Sequence, residues 1–496
     1  MHEVKKSKAP FLQQVKAFPK NFWIANIMEM FERLAFFGVR AVLPLYLVAS
    51  SDQLGIGLTY TEKGMIYMIW ALIQCLLPMI SGGYTDNYGY KKSLYVAFAI
   101  NIAGYIVMAK AIGFWSMLFA AILIGTGTAI FKPSAHGTIA KTVTEDNSSV
   151  GFGLFYWVVN IGGALAPFLA ANLRGSESAP TWSYVFYAAA IVTAINYIPA
   201  IFFFDEFEKD PNAIPKSATQ TFIEALTTLK DKQFLIFLLI FSGFWFMFMQ
   251  LWDLLPNFID EWTNTKDVAS IFSAILGSNT IMDSGHVKPE MIININPIAI
   301  ILFVIPLSWL SGKFNPLIAL IGGMVISIVG FIGSGATNIG FLCVIMIIVF
   351  TFGEMACSPK FSEYIGMTAP KDKKALYMGY SNIPFAIGWA LGNGVSGPLY
   401  DKLASKYFFA REYLINNIGM DASLIMDEKQ FPNTKIMETL VEKMGSGATL
   451  DSATQMLWNL HNPWIIWWIL GSVGFVSTIA MVGFYIWSTK QKKITA

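Results

Sequence analysis

The sequence predicts an all-α integral membrane protein with twelve transmembrane helices arranged as two bundles of six. Of its 496 residues, 55% are hydrophobic and 13% are charged, about half of the charged fraction of a typical soluble domain. Too few charges are therefore available to cover the surface of a soluble protein of this length. Apolar runs of about 20 residues, the length that crosses a bilayer as a helix, recur along the chain.

The predicted spans form two groups separated by a polar stretch. We expect an N-terminal six-helix bundle over 1–204, a cytoplasmic linker over 205–232 and a C-terminal six-helix bundle over 233–496. A long extracytoplasmic segment at 401–461 contains apolar patches, which predict short helices. The twelve spans are expected near residues 22–47, 64–83, 93–112, 115–140, 149–172, 183–204, 233–261, 291–312, 315–334, 339–364, 375–399 and 462–487.

The positions of lysine and arginine predict the orientation in the membrane, because short cytoplasmic loops are enriched in positive charge. With the N-terminus inside, the inner segments carry Lys91, Lys92, Lys141, Lys209, Lys216, Lys230, Lys232, Lys313, Lys371, Lys373, Lys374, Lys490, Lys492 and Lys493. The outer segments carry fewer, namely Lys63, Lys110, Arg174, Lys266 and Lys288. We therefore expect a multi-pass protein of the cell membrane with both termini in the cytoplasm.

Several function classes are excluded by composition and pattern. The net charge is +2 and the sequence has no basic block, so a nucleic-acid partner is not expected. Cys75, Cys343 and Cys357 lie inside apolar runs and predict no disulfide framework. The sequence contains no metal-ligand cluster, nucleotide-binding loop or catalytic triad. We therefore expect neither an enzyme nor a cofactor.

The first predicted span contains several ionisable residues. Each costs about 2.5–3.5 kcal/mol to insert into a membrane, and such residues are usually functional. Helical spacing places Glu29, Arg33, Phe36 and Arg40 on one stripe, with Glu32 beside it. We expect that stripe to face a water-filled cavity. The alternative is a buried salt bridge with a purely structural role.

The segment after the second span carries a recognisable pattern. It reads Gly82-Gly83-Tyr84-Thr85-Asp86-Asn87-Tyr88-Gly89-Tyr90-Lys91-Lys92. This resembles the G-x-x-x-D-x-x-G-x-(R/K)-(R/K) loop of major facilitator transporters, and the resemblance implies the major facilitator fold of two six-helix halves. The glycines are expected to form a tight turn and Asp86 to face a helix N-terminus. The alternative is an ordinary cytoplasmic turn.

Four further stretches resemble the proton-dependent oligopeptide transporter family. Span 1 reads Glu29-Met30-Phe31-Glu32-Arg33-Leu34-Ala35-Phe36-Phe37-Gly38, similar to the signature E-x-x-E-R-F-x-Y-Y-G. Phe131–Ser134 resembles an F-K-P segment, Phe155–Gly162 resembles F-Y-x-x-I-N-x-G, and Gly353–Pro359 resembles G-E-x-x-x-S-P. Asn296-Pro297 is a weaker match. The motifs occur in the family's order between residues 21 and 400.

The resemblance implies roles for individual residues. Arg33 and Lys132 would hold the carboxylate of a peptide, and Glu354 would hold its amino group. Asn160 and Asn296 would form hydrogen bonds with the peptide backbone. The expected substrate-binding residues are Arg33, Phe36, Phe37, Arg40, Lys132, Asn160, Asn296, Glu354 and Ser358. The expected proton-coupling residues are Glu29, Glu32, Arg33, Lys132 and Asp253.

The helical rise per residue places three of these residues independently of the family. Glu29 lies about 10 Å from the inner end of span 1, and Lys132 lies about 13 Å from the inner end of span 4. We therefore expect Lys132 to meet the acidic residues of span 1. Glu354 lies roughly 21 Å from the outer start of span 10, near mid-membrane. A carboxylate there is a natural site for a cationic substrate group or a proton.

The chain also departs from the family pattern. Phe36 and Phe37 replace two tyrosines, so two hydroxyl groups are missing. In span 7, Met249 stands where the family commonly has an acidic residue. Asp253 lies one turn further out, about 28 Å along span 7, and Arg40 lies about 27 Å along span 1. We expect these two to form an outer-gate salt bridge that breaks when Asp253 binds a proton. The alternative is a solvated, inert Asp253 in the headgroup region.

Together these observations predict a proton-coupled symporter that imports di- and tripeptides by alternating access. Its expected partners are small peptides, protons and the lipid bilayer, and we expect a monomer. Two alternatives are open, namely a transporter of a non-peptide small anion on the same scaffold and a membrane sensor or receptor. The intact Glu29, Glu32, Arg33 and Glu354 favour peptides, and a sensor need not keep residues that cycle protons.

Overall fold

The structure is a computed structural model that describes residues 10–144, 146–176, 178–208, 231–311, 313–369, 374–427 and 430–495. These residues form α-helices joined by short loops, with three isolated β-bridges and no β-strand among them. The all-α class predicted from the sequence is confirmed.

The N-terminal half is helical from Phe11 to Phe202. Its helices are α1 Phe11–Lys16, α2 Lys20–Val48, α3 Tyr60–Leu76, α4 Pro78–Tyr88, α5 Tyr90–Ala109, α6 Phe114–Thr142, α7 Ser148–Leu173, α8 Trp182–Ile195 and α9 Tyr197–Phe202. α2 and α6 have 29 residues each, which at 1.5 Å per residue gives about 43 Å. Either helix is therefore long enough to cross a bilayer.

The C-terminal half contains a second set of long helices and several short ones. They are α10 Lys232–Phe248, α11 Gln250–Asp253, α12 Leu255–Trp262, α13 Lys266–Leu276, α14 Pro289–Ile293, α15 Ile295–Ser311, α16 Pro316–Gly335, α17 Gly340–Thr368, α18 Lys374–Gly379, α19 Asn382–Leu403, α20 Lys406–Asn416, α21 Ala422–Ile425, α22 Asn433–Met444, α23 Leu450–His461 and α24 Ile465–Thr495. We term the end of the molecule where α2 begins and α24 finishes the inner end, and the opposite end the outer end.

The long helices identify a membrane protein. Within the described residues, nine segments are long and apolar enough to cross a membrane. They coincide with nine of the twelve predicted spans. The other three predicted spans correspond to α2, α15 and α19, which are helical but are shorter or more polar. The count of twelve crossings remains a prediction.

Five predicted spans are interrupted. Span 2 breaks at Leu77, before Pro78, which has no backbone N–H to continue the helical hydrogen bonds. Span 6 breaks at Asn196. Span 7 breaks at Met249 and again at Leu254, so Asp253 is the last residue of the short helix α11. Span 8 breaks at Asn294, and span 11 breaks at Tyr380 and Ser381.

The inner turn after span 2 forms at one of the glycines of the motif, as expected. The chain turns at Gly89, whose φ is 104°, whereas Gly82 belongs to α4. The N-terminus of α5 is held by Glu206, whose carboxylate accepts the backbone N–H groups of Tyr90 at 2.8 Å and Lys91 at 2.9 Å. The side chain of Asp86 lies outside the described residues, as does 209–230 of the predicted linker.

The segment predicted as a long extracytoplasmic loop is helical. α19 continues to Leu403, and α20 to α23 follow, which confirms the expected short helices. We term residues 404–461 the cap. It packs on the C-terminal half, where the ring centroid of Trp458 lies 6.0 Å from that of Phe258 and 6.0 Å from that of Trp262. The Thr434 hydroxyl donates a hydrogen bond across to Asp52 of the N-terminal half.

The two halves touch along α3 and α19, where glycines let the backbones meet. A Cβ atom at Gly64 would lie 2.4 Å from the carbonyl oxygen of Asn393, and one at Gly397 would lie 2.4 Å from that of Tyr60. Real Cβ contacts are never this close, so α3 and α19 require glycine at both points. These glycines form a seam between the halves towards their outer end.

α19 also packs closely on α10, as the Gly388-x-x-x-Gly392 pattern predicts. A Cβ at Gly388 would lie 2.5 Å from the Ser242 carbonyl oxygen. We expect Gly388→Ala to destabilise the protein by about 1–3 kcal/mol, because the backbones must separate. Thermal unfolding in detergent would show this as a lower Tm.

Gly394→Ala is the matched control on the same helix. The nearest atom to a Cβ there is the Met68 Sδ, at 3.1 Å, at the flexible end of a side chain that can move. We expect its Tm to stay near that of the wild type. Equal Tm values for the two variants would contradict the packing argument.

Candidate functional site

The inner part of the candidate site is a group of charged residues on α2. Glu29, Glu32 and Arg33 are 2%, 1% and 7% exposed. The Arg33 Nε lies 3.2 Å from a carboxylate oxygen of Glu29, one helical turn away, and the guanidinium also pairs with Glu32. Buried charges need such partners, because leaving water is costly. Glu29 and Glu32 are therefore brought together with Arg33, whereas Arg40 of the same stripe pairs elsewhere.

Lys132 of α6 joins this group without a direct ion pair. It interacts electrostatically with Glu29, Glu32 and Arg33. Among the described residues, no carboxylate oxygen lies within 4.0 Å of its ammonium group. Lys132 therefore lies near the acidic residues of span 1, as expected, but its ammonium group does not contact them directly.

The two phenylalanines of span 1 pack on the same guanidinium. The Arg33 Cζ lies 5.0 Å from the ring centroid of Phe36 and 5.8 Å from that of Phe37. Both distances fall in the range of cation–π attraction, which does not need a hydroxyl group. Phe36 is buried against Trp70, while Phe37 is partly exposed. The rings thus support Arg33.

The C-terminal half contributes a carboxylate from α17. Asn296 donates a hydrogen bond of 2.7 Å to Glu354 and another of 3.0 Å to the Thr351 hydroxyl. Glu354 is half-buried. Ser358 follows it by four residues and is therefore one turn away on the same face.

Tyr156 of α7 lies near Glu354 of the opposite half and interacts with it electrostatically. The Asn160 side-chain amide donates a hydrogen bond of 2.8 Å to the Tyr156 carbonyl. Asn160 and Glu354 therefore approach the same region from opposite halves. The sequence analysis did not single out Tyr156, although it lies within the Phe155–Gly162 motif.

The outer part of the site is centred on Asp253, which is fully buried. Its carboxylate forms an ion pair with Arg40 of α2. It also accepts hydrogen bonds from Trp389 Nε1 at 2.6 Å and from the Asn393 amide at 2.7 Å, both on α19. The expected Arg40–Asp253 pair is present, and the alternative of a solvated Asp253 in the headgroup region is wrong.

Lys63 is a residue that the sequence analysis misplaced. It was expected in an outer loop, but α3 begins at Tyr60, and Lys63 is 1% exposed. Its ammonium group donates to the Asp253 carbonyl oxygen at 2.7 Å and to Asn257 Oδ1 at 2.6 Å. The capping box formed by Thr59 and Glu62 was the available signal, since it marks the start of a helix.

Further contacts close the outer end. Arg174 of the N-terminal half pairs with Glu290 at 3.0 Å. From the C-terminal half, Lys288 donates a hydrogen bond of 2.6 Å to the Ala171 carbonyl, and Asn294 donates one of 3.0 Å to the Ala164 carbonyl. These polar contacts, like those of Asp253, join α2, α3 or α7 to the C-terminal half. The structure is therefore a conformation closed at its outer end.

Comparison with known proteins identifies the family. A profile of the Major Facilitator Superfamily matches residues 26–393, from α2 to α19. The chain belongs to the major facilitator superfamily. The predicted fold class is thereby confirmed, and this major facilitator protein is a member of a transporter family rather than of an enzyme family.

Peptide transporters occur among its relatives. The di-/tripeptide transporter of Lactococcus lactis subsp. lactis is 23% identical over 290 residues, which are 56% of this chain and 54% of that protein. The chain thus matches about half the length of this relative. A crystal structure of peptide transporter POT in complex with sulfate has a TM-score of 0.64 at 16% identity, covering 97% of this chain and 98% of its own.

A crystal structure of the nucleoside transporter NupG is equally similar in fold. It has a TM-score of 0.65 at 15% identity and covers 94% of this chain and 100% of its own. At such identities, likeness to solved structures shows the fold alone. The resemblance to peptide transporters that the sequence motifs predicted is supported by the curated relative.

The buried pair at Asp253 generates a stability prediction. Arg40→Met leaves a buried carboxylate without its ion-pair partner, which costs about 3–5 kcal/mol. We expect a markedly lower Tm in detergent, and adding Asp253→Asn should recover much of the loss because no charge is then stranded.

The matched control is the exposed pair between Lys20 and Asp205, at 3.2 Å, whose side chains are 54% and 72% exposed. Lys20→Met should cost less than about 1 kcal/mol. If the double variant Arg40→Met/Asp253→Asn were less stable than Arg40→Met alone, the argument from a stranded charge would be wrong.

Proposed function

We propose that this protein is a proton-coupled symporter that imports di- and tripeptides by alternating access. The observation that carries the proposal is the opposite charge of the two halves at one level of the molecule. Arg33 and Lys132 lie in the N-terminal half, and Glu354 lies in the C-terminal half, near Tyr156 of the N-terminal half. A zwitterionic peptide has a carboxylate that matches the cationic side of the site and an ammonium group that matches the anionic side.

The cationic side suits the peptide's carboxylate. Arg33 is engaged with Glu29 and Glu32, whereas the Lys132 ammonium has no carboxylate within 4.0 Å among the described residues. An ammonium group in that position can form a charge-assisted hydrogen bond with an anionic group of a ligand. A peptide's C-terminus supplies that anion.

The anionic side suits the peptide's amino group. Glu354 accepts a hydrogen bond from Asn296 and is half-buried. A carboxylate with a neutral partner in an apolar environment gains from binding a cation or a proton. Asn160 and Asn296 would meet the peptide backbone between the two charges, and Phe36, Phe37, Arg40 and Ser358 would complete the lining.

Protons would couple to this site through carboxylates that already have cationic partners. A proton on Glu29 or Glu32 weakens its pairing and makes Arg33 more available to a peptide carboxylate. A proton on Asp253 weakens its pair with Arg40, which holds the outer end closed. Outer opening would therefore follow proton binding at Asp253, and inward release would follow proton loss at the inner group.

Location and assembly are part of the same proposal. We infer that the protein lies in the cell membrane with both termini in the cytoplasm, because lysine is concentrated in the inner segments. We also propose that it is a monomer. Protons are the coupling ion, and the proposed mechanism uses no cofactor. The name of the Lactococcus relative supports a peptide cargo.

The test is uptake of labelled dialanine into proteoliposomes, with and without an inward proton gradient. The wild type should accumulate dialanine only with the gradient. Glu354→Gln removes one charge-assisted contact, worth about 1.5–3 kcal/mol, so its apparent affinity should fall roughly 10- to 100-fold. Glu442→Gln, which removes an exposed carboxylate from α22, is the control and should behave as the wild type.

Blocked peptides then separate the two ends of the site. N-acetyl-dialanine lacks the ammonium group, so it should compete poorly with dialanine in the wild type and no worse in Glu354→Gln. Absence of dialanine uptake by folded protein would reject the peptide proposal. Gradient-driven uptake of a small anion would then favour the anion transporter, and binding without counterflow would favour a sensor.

A further inference from the structure

A third buried carboxylate lies in the outer closure, besides Asp253 and Glu290, and the mechanism above does not use it. Glu261 of α12 is 4% exposed. Its carboxylate accepts a hydrogen bond from the hydroxyl of Tyr60, which belongs to the N-terminal half. On its own half it accepts the Lys406 backbone N–H at 2.9 Å and the Tyr400 hydroxyl at 3.3 Å. Glu261 therefore joins the two halves through Tyr60.

Glu261 and Tyr60 differ from Asp253 in their access to water. Both line a cavity of about 1020 Å³ at the outer end, between the ends of the two halves and the cap. The cap contributes Lys406, Thr434 and Glu438 to its wall. Asp253 is fully buried and is not among the lining residues. A proton from the outer medium thus reaches Glu261 before it reaches Asp253.

Tyr60 connects this carboxylate to the Asp253 layer. Its ring centroid lies 5.0 Å from the ammonium group of Lys63, which donates to the Asp253 carbonyl oxygen. Asp401 of α19 accepts the Tyr60 backbone N–H at 3.0 Å and fixes the start of α3. Movement of Tyr60 would therefore be felt at Lys63 and at the carbonyl group of Asp253.

We propose that Glu261 is a second proton-accepting residue of the outer closure, and that a proton on it releases Tyr60 before Asp253 releases Arg40. This inference rests on the proposed proton-coupled transport and adds the outer acceptor to it. The proton adds to a carboxylate oxygen and removes the negative charge. A neutral carboxylic acid is a weaker acceptor than a carboxylate, so the hydrogen bond from Tyr60 weakens.

The other charged groups around Glu261 are few. The groups that face it are Lys63 and Tyr60 on α3, Asp260 on α12, Tyr400 on α19 and Lys406 on α20, and Asp401 on α19 lies near Lys63. Elsewhere in the cavity wall, the hydrogen bond from Lys266 lowers the pKa of Asp451. Asp451 therefore stays ionised over the pH range in which Glu261 would bind its proton.

The experiment measures outer opening without any substrate. Ala171→Cys places a thiol on α7, where Ala171 is 2% exposed and packs among core residues of the C-terminal half. Cys75, which packs in the same core, is replaced by alanine, and Cys343 and Cys357 are buried. Labelling by a membrane-impermeant maleimide reports opening. Ile112→Cys, at a position 93% exposed, gives the reference rate at each pH.

We expect the normalised labelling rate of the wild-type background to rise as the outer pH falls from about 8 to about 5, the range in which a buried carboxyl binds its proton. Glu261→Gln imitates the protonated form. It should label about tenfold faster at the higher pH, the change expected for loss of one charge-assisted hydrogen bond, and its pH profile should be flatter. Tyr60→Phe removes the donor and should have the same effect.

Glu438→Gln is the control, because it removes an exposed carboxylate from the same cavity. It should keep the wild-type profile. A wild-type profile in Glu261→Gln would overturn the inference, as would a flattened profile in Glu438→Gln. Dialanine counterflow, measured in the same variants without a proton gradient, reports the proposed function separately. Failure of counterflow with an intact labelling response would reject peptide transport alone.

Discussion

The outer end of this protein depends on one buried carboxylate. Asp253 is removed from water, and a bare charge there would cost several kcal/mol. Its partners come from both halves, Arg40 from one and Trp389 and Asn393 from the other. The carboxylate is therefore satisfied only when the halves are together at this level. The closure depends on this arrangement, and in the proposed mechanism a proton on Asp253 weakens it.

The two charged groups of α2 make different contacts. Glu29, Glu32 and Arg33 form a self-neutralising group in the inner part of the helix, supported by aromatic rings. Arg40, two turns further out, reaches across to the other half. The inner charges of α2 are thus paired within the N-terminal half, and its outer charge is paired with the C-terminal half. In the proposed mechanism both ends respond to protonation, and this response would couple them.

Much of this arrangement could be predicted from the sequence, because helical rise and spacing are regular. The Arg40–Asp253 pair follows from two depths that agree to about one residue. The resemblance to four motifs located Glu354 and Asn160. Residues at helix ends were harder, since a helix start can shift by several residues. Lys63 was placed in a loop for that reason, although the Thr59 capping box marked the start of α3.

Other features have no local signal. The break at Leu254 turns the chain so that Glu261 meets Tyr60, a residue 201 positions away in the sequence. Tyr156 comes near Glu354 only through the packing of one half against the other. Such contacts depend on how the halves sit against each other, and no spacing within one helix reports that. Family motifs find them only where the same residues recur.

The glycine seam between α3 and α19 has a mechanical consequence. At Gly64 and Gly397 the two backbones touch with no side chains interlocked between them. Interdigitated side chains would have to be withdrawn before the helices could tilt, whereas bare backbones can roll on each other. The seam can therefore serve as a pivot axis for the two halves. The free-energy difference between the outward- and inward-facing states would then come from the polar contacts around the axis, which protons and ligands can reach. The apolar core would stay packed throughout.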